Sequence, residues 1–600
     1  VNTFTQKNAG TMRAIVLGDR SVLDDEIKEL YKKNGISHIL AISALHITMV
    51  GMLVYRMLKK IISVIQAAVL SSVIMLLYLY ITGNSVSAGR AVIMILVFML
   101  ADVLGRTSDG ANTLGLAVVI LIIRNPYCIS NAGFLMSFLA MAGIIFVKPI
   151  FSNEETIMLF FRKKKMVSLT EMFIYHNIID MLITGLCVQI ATLPVVLSMS
   201  GQIAIISLLL NIVVIPLMSV IMVSGILTGI MGLISMKAAI WTAGAGEYIL
   251  DLYSWLCEKA SGSSGAVIVT GHPPEKAVVL YYVFLIVWCV IYYMKVFSGI
   301  SGKYRNVLPV ILYLIITIQL RYDTGCSMKI SMLDVGQGDS IVLQTSDGFN
   351  ALFDGGSTSK KNIGRYRIYT YLKYAGVRSL DYVFVSHPDK DHISGIYELI
   401  DMCDNTFEIK NIVLPHINDT DETLLEIRKM ADRVGINVLY ACRGDALSAG
   451  NLSISCVHPC KNYNYESAND YSAVYLISFG KFSMLMTGDA ESKAEKCLIQ
   501  DARKSDSVVD LQKLSGINVL KAGHHGSRGA SSENFLRFVK PETALISCGV
   551  DNSYGHPHKE TLQRLKEAGT KVYRTDDGGE IMVRVWEDSY AIEVFGEQKE

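Results

Sequence analysis

Nine apolar runs, near residues 39–55, 61–82, 91–104, 113–123, 132–147, 173–197, 203–235, 276–294 and 306–320, constrain this chain more than any other feature. A helix crossing a bilayer needs about 20 mostly apolar residues, because lipid offers an open backbone no hydrogen-bond partner. Such runs repeated over some 300 residues exclude a soluble first half and predict a polyhelical membrane bundle. The runs at 91–104 and 113–123 are short and fit tilted, re-entrant or bundle-buried segments, so the helix count carries a margin of about two. The run 203–235 is too long for one crossing and holds Pro216 near its middle, which predicts two passes or a broken helix. Residues 238–256, with Trp241, Tyr248, Tyr253 and Trp255, read as an amphipathic segment suited to the membrane interface.

The runs stop near residue 320, and the composition changes there. Residues 1–320 hold 38 charged side chains, about 12%, while residues 321–600 hold 71, about 25%, the share usual in soluble proteins. Net charge also divides, +8 against −7, so the total of +1 is a cancellation. Two domains are expected, 1–320 in the membrane and 321–600 globular; disorder, collagen and a small disulfide scaffold are excluded. Basic clusters at Arg56, Lys59 and Lys60, at Arg162, Lys163, Lys164 and Lys165, and at Lys295, Lys303 and Arg305 mark cytoplasmic loops. A last crossing at 306–320 then leaves residues after Arg321 extracytoplasmic, provided an even number of crossings separates Lys165 from Lys295. Val1 is not an initiator and the first 20 residues lack an apolar core, so the chain reads as starting inside a longer protein, with no signal peptide.

His46, Asp102, His176, Asp180, Gln189 and Asn211 fall within the runs. Ionisable groups at membrane depth are costly and often line a water-filled path, although some near helix ends simply reach the headgroups. As a set they favour transport over anchoring. Leu17-Gly18-Asp19-Arg20-Ser21, the stretch from His38 through Ser43-Ala44-Leu45-His46, Arg90, Asn125-Pro126, Gly133-Phe134, Ser137-Phe138-Leu139-Ala140 and Leu193-Pro194 carry a family resemblance. The chain resembles ComEC-type competence DNA-uptake channels over nearly its whole length. Ala44 stands where that family usually has glycine, and the family's leading helices with their small OB-like domain are absent from this sequence. The resemblance implies passage of single-stranded DNA across the cytoplasmic membrane in natural transformation, with His46, Arg90, Gln189 and Asn211 as channel residues. It also implies a separate DNA receptor and, since no P-loop is present, a separate ATP-driven motor.

In the globular half, residues 329–343 read as two strands joined by a Gly-containing turn, and Ala351-Leu352-Phe353 is a strand ending in Asp354-Gly355-Gly356. A helix-like stretch 365–376 precedes the strand 381–386, and the run His387-Pro388-Asp389-Lys390-Asp391-His392 follows at once. Two imidazoles and two carboxylates in one loop are awkward without a cation. Thr487-Gly488-Asp489 and Gly523-His524-His525-Gly526-Ser527 each follow a further strand. Alternating strands and helices with polar loops at strand ends suggest an α/β sandwich whose chemistry gathers at one sheet edge.

These clusters, in this order, resemble the metallo-β-lactamase superfamily, and Asp334-Val-Gly-Gln-Gly-Asp339 with the His-His-Gly-Ser run narrows the resemblance to its ComEC-type branch. The implied fold is a polytopic α-helical membrane domain followed by an α/β metallo-β-lactamase-like domain, an αββα sandwich. The implied ligands are His387 and Asp389 for a first metal, Asp391 and His392 for a second, and Asp489 between them. His524 or His525 completes the second site and its neighbour contacts substrate; Asp354 orients a ligand loop. Asp389 replaces the second histidine of the zinc lactamases, and Asn469, Asp470 and Ser472 occupy the region where a further histidine is expected. An oxygen-rich site favours two divalent ions of the Mn or Mg kind, with Zn the alternative at the second site. Two such ions suit hydrolysis of a phosphodiester.

Lys390, Asn469, Ser527 and the pair His556 and His558 in Gly555-His556-Pro557-His558 are candidate substrate contacts. The interleaved basic and aromatic stretch Arg365–Tyr374 fits an ordinary amphipathic helix better than a base-stacking face. Cys456-x-His458-x-Cys460 lacks the second pair of a metal site and fits a strand end, and an extracytoplasmic setting would permit disulfides. The function expected is a DNA channel with a nuclease domain. The alternatives are an anchored metallo-hydrolase for another phosphodiester or ester, or a channel whose metal domain is not catalytic.

Overall fold

The computed structural model describes residues 3–40, 44–152, 178–263, 265–294, 320, 325–416, 421–460, 467–502 and 511–596. The expected basic loop at 162–165, His176, Lys295, Lys303, Arg305 and all but the last residue of the run 306–320 lie outside them. The chain forms two compact units, Val1–Tyr322 and Asp323–Glu600.

The first unit is helical: α1 (Gln6–Leu17), α2 (Asp25–Lys33), α3 (Ala44–Leu58), α4 (Val64–Ile81), α5 (Val86–Val103), α6 (Gly110–Arg124), α7 (Ala132–Ala142), α8 (Asp180–Ser200), α9 (Ser207–Gly232), α10 (Met236–Ser261) and α11 (Glu275–Tyr293). α7 runs on through a wider turn, Gly143–Val147, to make a 20-residue apolar rod, Ala132–Phe151. Among the described residues six helices are long and apolar enough to span a bilayer: α4, α5, this extended α7, α8, α9 and α11; α3 and α6 are shorter apolar helices. The starts of α4 and α5 are set by side-chain caps that satisfy orphan N–H groups, a Ser63–Gln66 capping box on α4 and Ser85 on α5. Gly143 lets α7 lie against α8, since a Cβ there would sit 2.7 Å from the Cys187 carbonyl oxygen.

One expectation is corrected here and a second, the amphipathic segment 238–256, is refined at Tyr253. The run 203–235 is neither two passes nor a broken helix: residues Gln202–Ala204 form a short strand β1, paired with β2 (Val267–Val269), and the remainder is the single helix α9 with Pro216 inside it. A proline costs one intrahelical bond, here the one to the Ile212 carbonyl, which a packed helix tolerates; α10 lies along α9 in this region, and the Tyr253 hydroxyl donates to the nearby Val214 carbonyl at 2.7 Å. The segment 238–256 also presents its aromatics differently. Trp241, Tyr248 and Trp255 are exposed, but Tyr253 belongs to a buried stripe of Ala239, Ala243, Gly246, Leu250 and Cys257 at helical spacing.

The second unit is a two-sheet sandwich. Its strands are β3 (Met328–Met332), β4 (Ile341–Thr345), β5 (Asn350–Phe353), β6 (Ser379–Phe384), β7 (Glu408–Pro415), β8 (Asn437–Ala441), β9 (Ala446–Ala449), β10 (Leu452–His458), β11 (Val474–Phe479), β12 (Phe482–Met486), β13 (Val519–Lys521), β14 (Thr543–Ile546), β15 (Lys571–Arg574), β16 (Ile581–Val585) and β17 (Tyr590–Val594). One sheet has the order β17-β16-β3-β4-β5-β6-β7-β8 and the other β15-β14-β13-β12-β11-β10-β9. Alternate residues such as Met328, Ile330, Met332, Ile454, Tyr475, Ile477 and Met484 meet between them. Each such side chain contributes about 1.5–3 kcal/mol when fully buried. The outer face of the second sheet is covered by α-helices at Ser492–Ala502, Glu533–Val539 and Lys559–Glu567 through Leu498, Phe535, Leu536 and Leu565. Helix Lys390–Asp401 buries Ile393, Ile396, Leu399 and Ile400.

The stretch Arg365–Tyr374 is an amphipathic helix. Tyr371 is buried with its hydroxyl on Ser331 at 2.6 Å, and Lys373 lies over the Tyr369 ring.

Candidate metal centre

In both sheets the functional residues sit just past the carboxyl ends of strands. β5 delivers Asp354, β6 His387 to His392, β12 Asp489, β13 His524 and His525, and β14 leads to His556 and His558. β5 and β6 are parallel, as are β12, β13 and β14, so their ends open on a common edge within each sheet. The loop between β3 and β4 adds Asp339, and glycine makes its approach feasible. A Cβ on Gly338 would lie 2.3 Å from the Gly356 oxygen, and one on Gly356 2.3 Å from the His392 nitrogen. With those side chains absent, the Asp339 N–H donates to the Asp391 carbonyl at 3.0 Å and the Gly355 N–H to the His392 carbonyl at 2.7 Å.

His387, His392, His525 and Asp489 are all buried. Asp489 is the hub: Oδ1 is 3.2 Å from His392 Nε2, and Oδ2 is 3.7 Å from His387 Nε2, 3.7 Å from His524 Nε2 and 3.8 Å from His525 Nε2. Asp391 Oδ2 lies 3.4 Å from His525 Nε2, and Asp389 Oδ2, on a half-exposed side chain, 3.5 Å from His387 Nε2. The other ring nitrogens are fixed from behind. His392 Nδ1 donates to Asp354 Oδ2 at 2.9 Å, His525 Nδ1 to the Ser547 carbonyl at 2.9 Å and His524 Nδ1 to Glu491 Oε1 at 2.8 Å. Asp354 also receives the Ser386 N–H and hydroxyl, both at 2.8 Å. Such backing sets the tautomer that leaves Nε2 free to bind a cation.

A family of competence proteins matches residues 15–295, and the metallo-beta-lactamase superfamily matches residues 333–445, which include Asp354 and the His387–His392 loop. The chain carries a competence-protein domain followed by a metallo-β-lactamase domain. It is similar to ComE operon protein 3 of Bacillus subtilis (strain 168), 26% identical over 594 residues, 96% of this chain and 71% of that protein. It is also similar to competence protein ComA of Neisseria gonorrhoeae, 25% identical over 584 residues, 95% of this chain and 74% of that one. Among solved structures, CmlA, a diiron beta-hydroxylase from Streptomyces venezuelae, is 13% identical and overlaps 48% of this chain and 58% of its own at a TM-score of 0.30. The six candidate spans among the described residues, together with the competence-protein match, make this a multi-pass membrane protein.

The metallo-β-lactamase fold implies divalent metal, and the donor set fits it. His387 Nε2, His392 Nε2, His525 Nε2 and Asp489 Oδ1 are buried atoms without a hydrogen-bond partner. They fall into ligand groups of His387, His392 and Asp489, and of Asp391, His392 and His525. Buried donors and acceptors are rarely left open, so four converging on one point suit a cation. The electrostatics agree. Burial by itself would raise the Asp489 carboxyl, yet His392, His525 and His387 hold it well below the usual carboxylate range. Burial pushes the His525 imidazole down, but Asp489 and Asp339 outweigh it and lift it to about 9. The pocket thus holds positive charge strongly, as protons or as metal.

Two residues that matter here were not singled out from sequence as part of the site. Asp339 is buried within 3.4 Å of His525 Nδ1, and the buried Lys521 ammonium pairs with it, donates to the Gly488 carbonyl at 2.7 Å and lies 3.7 Å from Asp489 Oδ1. Burial lowers the Lys521 pKa, but Asp339 and Asp489 more than reverse that. The signals available were a carboxylate directly after Gly338 and a lysine closing an apolar strand.

The remaining candidates divide. His556 joins the ring cluster, 5.4 Å from His524, with Nδ1 3.4 Å from Gln337 Nε2; burial, then His524, His525 and His558, push it down to about 4. His558 has a buried Nδ1 without a hydrogen-bond partner. Asn469 Nδ2 lies 3.4 Å from His524 Nδ1. The Ser527 hydroxyl turns to Glu491 Oε1 at 3.1 Å, and Lys390 is exposed at the start of its helix. Cys456, His458 and Cys460 do not converge: the Cys456 thiol donates to the His458 carbonyl, and His458 Nε2 to the Asp470 carbonyl.

In the bundle, Arg90 is buried and donates to Ser137 Oγ at 2.8 Å, His46 is buried, Gln189 reaches Ser207 Oγ at 3.4 Å, and Asn211 keeps a buried Oδ1 without a hydrogen-bond partner. Asp102 instead accepts from Tyr55 and Lys59, and Asp180 from Lys148.

Proposed function

We propose that the α/β unit is a metal-dependent phosphodiesterase acting on DNA, and that the helical unit conducts single-stranded DNA across the cytoplasmic membrane. The observation that carries the first part is the set of unpaired, buried ligand atoms around Asp489. In this reading His387 and Asp389 hold one cation, Asp391, His392 and His525 the other, and Asp489 lies between them. His525 is preferred to His524 because its Nε2 faces Asp391 at 3.4 Å; His524 is left for substrate. Oxygen ligands favour Mn or Mg, with Zn the alternative at the site richer in histidine. Divalent cations here would neutralise phosphodiester charge and make water a competent nucleophile near neutral pH. The chain's own part is positional. Asp489 Oδ2 accepts the proton of the attacking water, Glu491 and Asp354 hold His524 and His392 in the required tautomers, and His558 Nδ1 delivers a proton to the leaving oxygen.

The competence family and the buried polar residues His46, Arg90, Gln189 and Asn211 support the transport half. The basic residues after α3 support a cytoplasmic loop there and an extracytoplasmic α/β unit, with a separate DNA receptor and ATP-driven motor completing uptake. The purified full chain should cleave single-stranded DNA with Mn and lose that activity in Asp489→Ala. Equal activity in both proteins would sink the catalytic assignment. A C-terminal tag protected from external protease in intact cells would reverse the orientation.

A further inference from the structure

Tyr554 has no part in the chemistry above, yet it stands at the lip of the same site. It is 53% exposed on the loop after β14 and stacks on His556, with ring centroids 5.8 Å apart and planes 24° from parallel. His556 is in turn 5.4 Å from His524, whose Nε2 is 3.7 Å from Asp489. The exposed tyrosine and His524, the histidine left for substrate, are thus two ring contacts apart.

The loop that carries Tyr554 is built to hold its shape. Asn552 receives the His556 N–H at 3.0 Å and donates its amide to the Gly549 carbonyl at 2.9 Å and to the His556 carbonyl at 2.5 Å. Gly555, at φ +72°, supplies the left-handed turn between the two rings. Gln337 holds the far side, accepting the Gly549 N–H at 3.3 Å. A ring fixed from behind with its outer face in water loses little entropy on stacking against a ligand.

The charge of the unit narrows what that ligand is. Residues 321–600 carry a net −7, so general attraction for a polyanion is unfavourable and affinity must come from local contacts. Stacking is such a contact, and it is indifferent to base identity because every base has a π-face. A paired base keeps its faces inside the duplex. We infer that Tyr554 is a base-stacking platform that seats an unpaired base of the strand beside the metal centre. The inference rests on the phosphodiesterase reading and adds to it a residue that binds the nucleotide next to the cleaved bond.

The test uses the full chain in detergent with Mn, a single-stranded oligonucleotide, its abasic counterpart and its duplex. Tyr554→Ala should raise KM for the base-bearing strand about 10-fold, within the range stacking gives per base, and leave kcat within about twofold. KM for the abasic strand should stay unchanged, and Tyr554→Trp should retain the wild-type value. Equal effects on both strands, no effect on either, or wild-type cleavage of duplex as readily as single strand would overturn the inference. Should the wild type cleave no oligonucleotide, the phosphodiesterase reading fails by itself. Fluorescence anisotropy in EDTA then decides the stacking claim. A roughly tenfold weaker affinity of Tyr554→Ala for the base-bearing strand alone upholds it, and unchanged affinity overturns it.

Discussion

The two halves of this molecule treat carboxylates in opposite ways: Asp102 and Asp180 of the helical unit stay about a third exposed, whereas Asp339, Asp354 and Asp489 of the sandwich are buried. In the helical unit the carboxylates within the apolar helices are closed off in local pairs: Asp102 by Tyr55 and Lys59, Asp180 by Lys148. In the sandwich, Asp339, Asp354, Asp391 and Asp489 are drawn into one cluster with three imidazoles and Lys521, and several ligand atoms stay open. A closed pair is a structural device, whereas an open cluster is preparation for a ligand. Asp102 and Asp180 therefore leave the set of path-lining candidates. Arg90 stays in it, because no carboxylate among the described residues pairs with that guanidinium and its Nε is satisfied by Ser137.

The contrast breaks most sharply at its hub. Asp489→Ala should lose bound cation by elemental analysis and slow DNA cleavage on the order of 10³-fold, as loss of a principal electrostatic group does. EDTA should give the same loss, restored by Mn. Next comes the buried pair. Lys521→Met strands Asp339 without its ammonium and should cost about 3–5 kcal/mol, whereas the joint change with Asp339→Asn should recover part of it. Thermal unfolding of the cation-free full chain in detergent measures both, and a neutral single variant would put Lys521 on the structural margin.

A third arrangement lies outside the cluster. Burial raises the Glu580 carboxyl from 4.5 to about 7, with Lys329 opposing the shift only in part. The folded form therefore binds this proton more tightly than the unfolded chain. Its contribution is complete below about pH 4.5 and is lost as pH rises through 7, up to about 3 kcal/mol in all. Glu580→Gln should flatten that part of the stability profile, and an unchanged profile would refute the assignment. The smallest effect belongs to the bundle. Lys59→Met removes a partly exposed partner of Asp102 and should change stability by no more than about 1 kcal/mol; a larger loss would mean the closed pair is more than a local device.

Sequence carried the sandwich and the loop His387–His392 well, because ligand residues packed into six positions leave a local imprint. It carried α9 poorly, since Pro216 reads as a breaker until a second helix is laid along it, and packing is non-local. It missed Lys521 as part of the site for a similar reason. A lysine ending the strand Val519–Lys521 looks like a surface residue, and only the juxtaposition of β13 with the β3–β4 loop makes it the counter-charge of Asp339. Tyr371 and Lys373 fit the amphipathic helix expected over Arg365–Tyr374, both lying on its buried side.

The turn at His524 and His525 bears on how such a protein can change over time. Both residues hold left-handed backbone angles, φ +46° and +52°, which side chains other than glycine adopt reluctantly. Glycine at either position would relax the corner, but it would also remove a ring that is hydrogen-bonded from behind, to Glu491 at His524 and to the Ser547 carbonyl at His525, and empty the centre of an imidazole. The backbone strain is therefore tied to the same two side chains that do the chemistry, and the corner cannot be eased without losing them.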